Sequence, residues 1–246
     1  MPWPFAARRS ADQDRGWWDC HCHILPGLDD GPSDLETAVE MVRLACAHGT
    51  TTLVATPHAI SGLYPTTRAG VLASLEGLRA ACGEAGMAAE LHPGQEIALE
   101  PDIPERLAAG ELLTYADAGT AALIELPSLG VPPFCADTFF RLRLQGVLPV
   151  VAHAERTSLV SEPAELARLI DAGARLQLNA AVFGARGSVR KLALAWVRQG
   201  WVACLGSDGH SLGRRPPVLD PALAAGIPEL RALLGRPDFL TPAVGA

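Results

Sequence analysis

Seven short apolar runs, each able to lie as a strand and each followed by a helical pattern, leave this chain few folds to adopt. The strand-like runs are 17–24, 51–56, one ending in Gly94-Gln95-Glu96-Ile97, 121–126, 148–154, 175–179 and 201–207. Between them, Ser33 with Glu36 reads as a capping box, and Leu35, Val39, Val42 and Cys46 follow at helical spacing up to Gly49. Thr66 or Thr67 caps the next helix, which runs to about Gly83. Further helices are expected over 104–109, 134–145, 163–172, 188–199 and 221–234. The fold class predicted is α/β, a distorted (β/α)7 TIM-like barrel in a single domain over 17–246, preceded by a flexible extension over 1–16.

Composition closes off several functions. The chain has 246 residues, 49% hydrophobic and 19% charged, enough for a sizeable core and unlike a disordered protein. A net charge of −7 argues against a nucleic-acid binder. No run approaches the roughly 20 apolar residues of a membrane span, and residues 1–16 lack the apolar stretch of a signal peptide. The six cysteines show no C-x-x-C spacing and read as buried free thiols, so the expected location is the cytoplasm.

Function is written at the strand ends. Alternate residues of a strand share a face, so His21 and His23 in Asp19-Cys-His-Cys-His23 point together, suited to gripping a metal ion. A lone H-x-H is weak evidence, but His21, His23, Asp30, His58, Glu96, Glu125, His153, Asp208 and His210 recur at successive strand ends. Five of the seven histidines are in this set; His48 and His92 fall elsewhere, and His48 suits the last turn of a helix. Nine nitrogen and oxygen donors exceed what one ion takes and suit two or three, with bridging carboxylates. Imidazole with carboxylate, and no thiolate, favours manganese, iron or zinc. Such sites activate water and clamp the oxygens of an in-line displacement, which suits phosphate esters. Arg156 and Arg215, close after His153 and His210, could each offer a planar guanidinium to a phosphoryl group.

The motifs Asp19-x-His-x-His, Asp29-Asp-Gly-Pro32, Thr56-x-His58, Gly94-x-Glu96-Ile97, Ala122-Leu-Ile-Glu125, Pro149-Val-x-Ala-His153-x-Glu-Arg156, Gln177-x-Asn179, Ser207-Asp-x-His210 and Arg215-Pro-Pro217 stand in order over residues 17–217. Together they resemble the polymerase-and-histidinol-phosphatase (PHP) superfamily, and within it the bacterial protein-tyrosine phosphatases of capsule and exopolysaccharide loci. The resemblance implies a phosphatase with three divalent ions, manganese preferred. His21, His23, Glu96 and Asp208 would hold one ion, Glu96, Glu125 and His153 a second, and Asp30, His58 and His210 the third. Arg156 and Arg215 would contact phosphate. The residues do not identify the general acid, for which Asp208 and a metal-bound water are both candidates. The implied substrate is the phosphotyrosine tail of a bacterial tyrosine kinase controlling polysaccharide export. The extension before Trp17 departs from the family, whose first strand usually begins almost at the N-terminus.

Other readings are weaker. Cys135 to Arg141 has the C-x5-R spacing of cysteine phosphatases, but Phe139 and Phe140 suit a helix face, not a phosphate loop. A histidinol-phosphate phosphatase shares the scaffold, yet Glu125 stands where that branch is expected to carry histidine. A deoxyribonuclease or amidohydrolase barrel also begins with H-x-H, but Lys191 sits in a helix and cannot be a strand-end bridge. A non-catalytic metal-binding module would have lost ligands, and none is missing.

Overall fold

Short β-rich runs punctuated by proline and glycine become strands, and amphipathic stretches between them become helices. The computed structural model describes residues 16–128, 130–220, 222 and 226–240. The expected extension over 1–16 thus lies outside the described residues, Gly16 excepted, as does part of the helix expected over 221–234. The strands are β1 (Trp17–Cys22), β2 (Thr50–Ala55), β3 (His58–Ile60), β4 (Tyr64–Pro65), β5 (Glu90–Pro93), β6 (Glu96–Ala98), β7 (Ala121–Glu125), β8 (Leu148–Val151), β9 (Arg175–Asn179) and β10 (Val202–Gly206). The longer helices are α1 (Leu35–Ala47), α2 (Arg68–Glu84), α3 (Ile103–Ala108), α4 (Cys135–Leu144), α5 (Pro163–Asp171) and α6 (Ser188–Arg198), with a last short helix Pro228–Leu233. No helix among the described residues is long and apolar enough to cross a membrane.

Two ladders form, β1-β2-β5 and β10-β9-β8-β7-β6-β3-β4, parallel throughout except for the β3–β4 hairpin. β2 and β3 are one strand direction interrupted at Thr56-Pro57, and β5 and β6 one interrupted at Gly94-Gln95. Pro57 has no N–H to continue a ladder, but its carbonyl accepts from Glu96 N at 3.0 Å. Counted this way, seven strand positions follow one another as the sequence implied, but the ladder does not close into one continuous barrel. At the remaining seam β1 and β10 lie side by side without a ladder, and among the described residues one isolated bridge joins Cys22, the last residue of β1, to Gly209, just past β10. His23 N donates to Gly209 O at 2.9 Å, and Asp208 N donates to His21 O at 2.7 Å. The β3–β4 hairpin was not foreseen; its strands are two and three residues long, too short for a period to show.

The helices pack on the outside. Ala38, Met41 and Val42 of α1 and Val71, Leu75 and Leu78 of α2 bury against Leu53, Ala55 and Leu91, while Phe139, Leu169 and Trp196 belong to a larger cluster. The inner face is filled by Cys20, Val54, Leu123, Val150, Ala152 and Cys204. Ser33 does not cap α1. Asp34 does, accepting from Thr37 N at 2.8 Å, while the Ser33 hydroxyl donates to Asp34. A full negative charge at a helix N-terminus explains that preference. Thr67 caps α2 by accepting from Gly70 N. Cys135 is the buried first residue of α4 and Arg141 ion-pairs with Glu105, so the C-x5-R spacing makes no phosphate loop.

Strand parity carries the inner apolar face up to the polar rim: Leu123 precedes Glu125, and Val54 precedes Thr56 and His58. In β1 parity alone would fail, because Cys20 lies on the inner face. The β1–β2 register slips between Asp19 and Cys22, so Cys22 joins the outer cluster and His21 and His23 turn inward. A close approach fixes the first of them. A Cβ on Gly206 would fall 2.5 Å from His21 Cβ and 2.8 Å from His21 N. Gly206→Ala should therefore lower unfolding stability by about 1–3 kcal/mol, as overpacked sites do. An unchanged urea midpoint would count against this packing.

Candidate metal centre

Glu96, the first residue of β6, is fully buried and meets four imidazoles. Its Oε2 lies 3.3 Å from His21 Nε2, 3.3 Å from His23 Nε2 and 3.1 Å from His58 Nδ1, and its Oε1 lies 2.8 Å from His153 Nε2. The structure brings all nine sequence-predicted donors to this one rim. His21, His23 and Asp208 form one group close enough to share an ion; His58, Glu96 and Glu125 form a second. His23, Asp30, His58 and His210 form a third, with Asp30 Oδ1 3.3 Å from His210 Nε2 and 3.5 Å from His58 Nε2. His153 stands beside the second group, 3.7 Å from Glu125 Oε1. The grouping differs in detail from the expected partition, since His23 and His58 each face two groups.

Electrostatics show what the site lacks internally. Burial opposes charging of His21, yet the Glu96 and Asp208 carboxylates lift it to about 9. Burial likewise opposes charging of His23, and Asp29 with Glu96 lifts it to about 10. Glu96, despite burial, is held well below the usual carboxylate range by its histidines. Burial, then the neighbouring His23 and Arg215 cations, push His210 down to about 4. The pocket thus draws in positive charge, but crowded imidazoles cannot all supply it. Among the described residues, both Glu96 oxygens, Asp208 Oδ1 and His210 Nε2 are buried without a hydrogen-bond partner. Orphaned buried donors of this chemistry fit divalent cations.

A surrounding shell aims the donors. His21 Nδ1–H donates to Gln177 Oε1 at 2.9 Å, His23 Nδ1–H to Asp29 Oδ2 at 2.7 Å and His210 Nδ1–H to the Asp208 carbonyl at 2.9 Å. Each bond turns the ring's Nε2 lone pair towards the centre. Gln177 Oε1 also accepts from His153 N at 2.6 Å, and Gln177 Nε2 donates to Asn179 Oδ1 at 3.0 Å. Asn179 Nδ2 donates in turn to Asp208 Oδ2 at 2.9 Å. Asp19 Oδ1 accepts from His21 N and Ser207 N, tying β1 to the end of β10. Burial raises Asp19 to about 6 despite those bonds. His153 (φ 28°) and Asp208 (φ 55°) sit in left-handed backbone, a strained arrangement held by this network. Sequence reading singled out Gln177, Asn179, Asp19 and Asp29 as motif residues but gave them no task; amide and carboxylate spacing alone does not say which ring they meet.

Both predicted arginines arrive at the same carboxylate. Arg156 Nη1 donates to Asp208 Oδ2 at 2.6 Å, and Arg215 Nη2 stands 2.7 Å from Asp208 Oδ1 as an ion pair without the geometry of a hydrogen bond. Their side chains remain 53% and 39% exposed, so they line the open side of the cluster.

Known proteins resemble this chain in sequence and in fold. Tyrosine-protein phosphatase YwqE of Bacillus subtilis (strain 168) is 34% identical over 202 residues, covering 80% of this chain and 78% of its own. Tyrosine-protein phosphatase CpsB of Streptococcus pneumoniae is 28% identical over 220 residues, covering 83% and 87%. A crystal structure from the pair YwqE of Bacillus subtilis and CpsB of Streptococcus pneumoniae, metal-dependent tyrosine phosphatases, matches with a TM-score of 0.82 at 31% identity, covering 88% of this chain and 90% of that one. A lactonase of Listeria monocytogenes matches with a TM-score of 0.54 at 13% identity, covering 92% of this chain and 93% of that one, a likeness of fold alone. The family described as "Capsular polysaccharide synthesis, CpsB/CapC" matches residues 17–226, and the chain belongs to it.

Proposed function

We propose that this chain is a metal-dependent protein-tyrosine phosphatase, a phosphoric monoester hydrolase acting on phosphotyrosine. The observation that carries the reading is the convergence of four imidazoles on buried Glu96 beneath two rim arginines. His21, His23, Asp30, His58, Glu96, Glu125, His153, Asp208 and His210 are the residues that would hold divalent ions, three in number and manganese by preference, with iron or zinc as substitutes. Such ions supply Lewis-acid polarisation of phosphoryl oxygens and lower the pKa of water.

The chain's own residues do the rest. Arg156 and Arg215 bind the phosphoryl oxygens and offset charge that builds on them during displacement. Asp208, held by both arginines and by Asn179, keeps those guanidinium groups aimed at the rim. The leaving phenolate has a conjugate-acid pKa of about 10, so it departs with less help from a general acid than an alkoxide does. The physiological substrate in this reading is the phosphorylated tail of a bacterial tyrosine kinase that governs polysaccharide export, met in the cytoplasm.

Three outcomes test it. Chelation should abolish hydrolysis of phosphotyrosine peptide and manganese should restore it; a chelated protein that keeps its turnover would sink the reading. His153→Ala and Asp208→Ala should each lower kcat by about a hundredfold or more with a loss of bound metal by elemental analysis. Normal turnover with unchanged metal content would remove those residues from the site. Arg156→Ala should weaken inhibition by free phosphate about tenfold or more, since a charged hydrogen bond is lost. An unaltered inhibition constant would contradict its assignment.

A further inference from the structure

Six of the chain's twenty cationic side chains, Arg156, Arg186, Arg190, Lys191, Arg214 and Arg215, stand just beyond the C-terminal ends of β8, β9 and β10. Those three strands are neighbours in one ladder, so their loops form one sector of the rim. Arg156 and Arg215 are engaged with Asp208, but Arg186, Lys191 and Arg214 are exposed and have no carboxylate partner among the described residues. Residues 180–191 contain no aspartate or glutamate, and neither do residues 211–219. Arg190 Nε donates to Phe183 O at 2.9 Å, which sets that side chain beside a groove of about 400 Å³ lined by Phe183, Arg186, Gly187, Arg190 and Lys191.

This placement works against local stability. Arg190 and Lys191 lie in the first turn of α6, the end of a helix where the macrodipole favours anions. A chain of net charge −7 gains nothing in solubility from gathering unpaired cations there. Outside these three loops the rim also carries exposed acids, Asp34 after β1 and Asp102 after β6. Residues that break a local rule on the open side of a catalytic face are expected to serve a ligand. The sector spans three loops, wider than a single phosphate, and it begins at the two arginines assigned to the phosphoryl group.

We propose that this sector docks an acidic segment of the polypeptide flanking the phosphotyrosine, so that the protein selects substrates whose neighbouring residues are anionic. The proposal rests on the phosphatase reading and adds to it a preference among phosphotyrosine sites. Complementary charge at a rim acts chiefly on encounter and on KM, and it is screened by salt.

Two phosphotyrosine peptides that differ only in glutamate or glutamine at the flanking positions, with p-nitrophenyl phosphate as a flank-free control, provide the test. The manganese-loaded full chain should favour the acidic peptide by about tenfold in kcat/KM, through KM, at the low end of what a focused field contributes. That preference should shrink as salt rises. The double variant R186E/K191E should lose the preference while hydrolysing p-nitrophenyl phosphate as the parent does. Equal kcat/KM for the two peptides, or a preference that survives the double variant, would overturn the docking surface. Fluorescence anisotropy of the labelled peptides reads docking without hydrolysis, and equal binding of both would overturn it too. Failure to hydrolyse p-nitrophenyl phosphate alongside tighter binding of the acidic peptide would strike at the phosphatase reading and leave the docking sector standing.

Discussion

A buried carboxylate must be neutralised by something, and Glu96 is such a carboxylate. Four imidazoles turn their nitrogens to it, and two of those rings, His21 and His23, are drawn up to about 9 and 10 by it and by the neighbouring acids. Packing that many rings around one anion brings His21 Nε2 and His23 Nε2 within 3.1 Å of each other. Protons alone are a poor solution, because two imidazolium groups at that range repel. Divalent ions held by these residues would satisfy both demands.

The organisation is visible in how the backbone gives way. Left-handed residues at His153 and Asp208 and a slipped register in β1 are each locally unfavourable. Each turns a donor inward that regular strand geometry would have misdirected. The chain Gln177–Asn179–Asp208, with Asp19 spanning the seam to Ser207, holds these departures in place. The β1–β10 seam, weakest as a ladder, is thus bound by the same groups that aim His21 and Asp208. Fold closure and site assembly are one event there.

Much of this was legible beforehand. Seven strand positions appear in the expected order, helices up to residue 199 fall near where the periodicity put them, and the nine expected donors share one rim; the one helix expected over 221–234 is instead broken at Gly226-Ile227 and restarts at Pro228. Boundaries were less secure. The run read as 148–154 stops at Val151, because the chain turns at His153 to aim its ring. Ser33 looked like a cap, but Asp34, one residue on, carries the charge that the helix end prefers. The run ending in Ile97 splits into β5 and β6 at Gly94-Gln95, and a further short strand, β3, follows the expected 51–56 strand beyond Pro57, which cannot donate to a ladder.

Sequence by itself determined which residues are chemically able to bind metal and phosphate, and that alternation of strands and helices would carry them to one end of a barrel. Periodicity is local, so it survives as a reading of the unfolded chain. What only the tertiary structure decided is the partnership among them: that Gln177 serves His21 and His153 together, that both arginines meet at Asp208, and that His23 and His58 each face two groups. Those contacts join residues up to 188 positions apart, as Asp19 and Ser207 do. They depend on bulges and twists that arise when strands pack against one another, and no spacing along the chain encodes them directly.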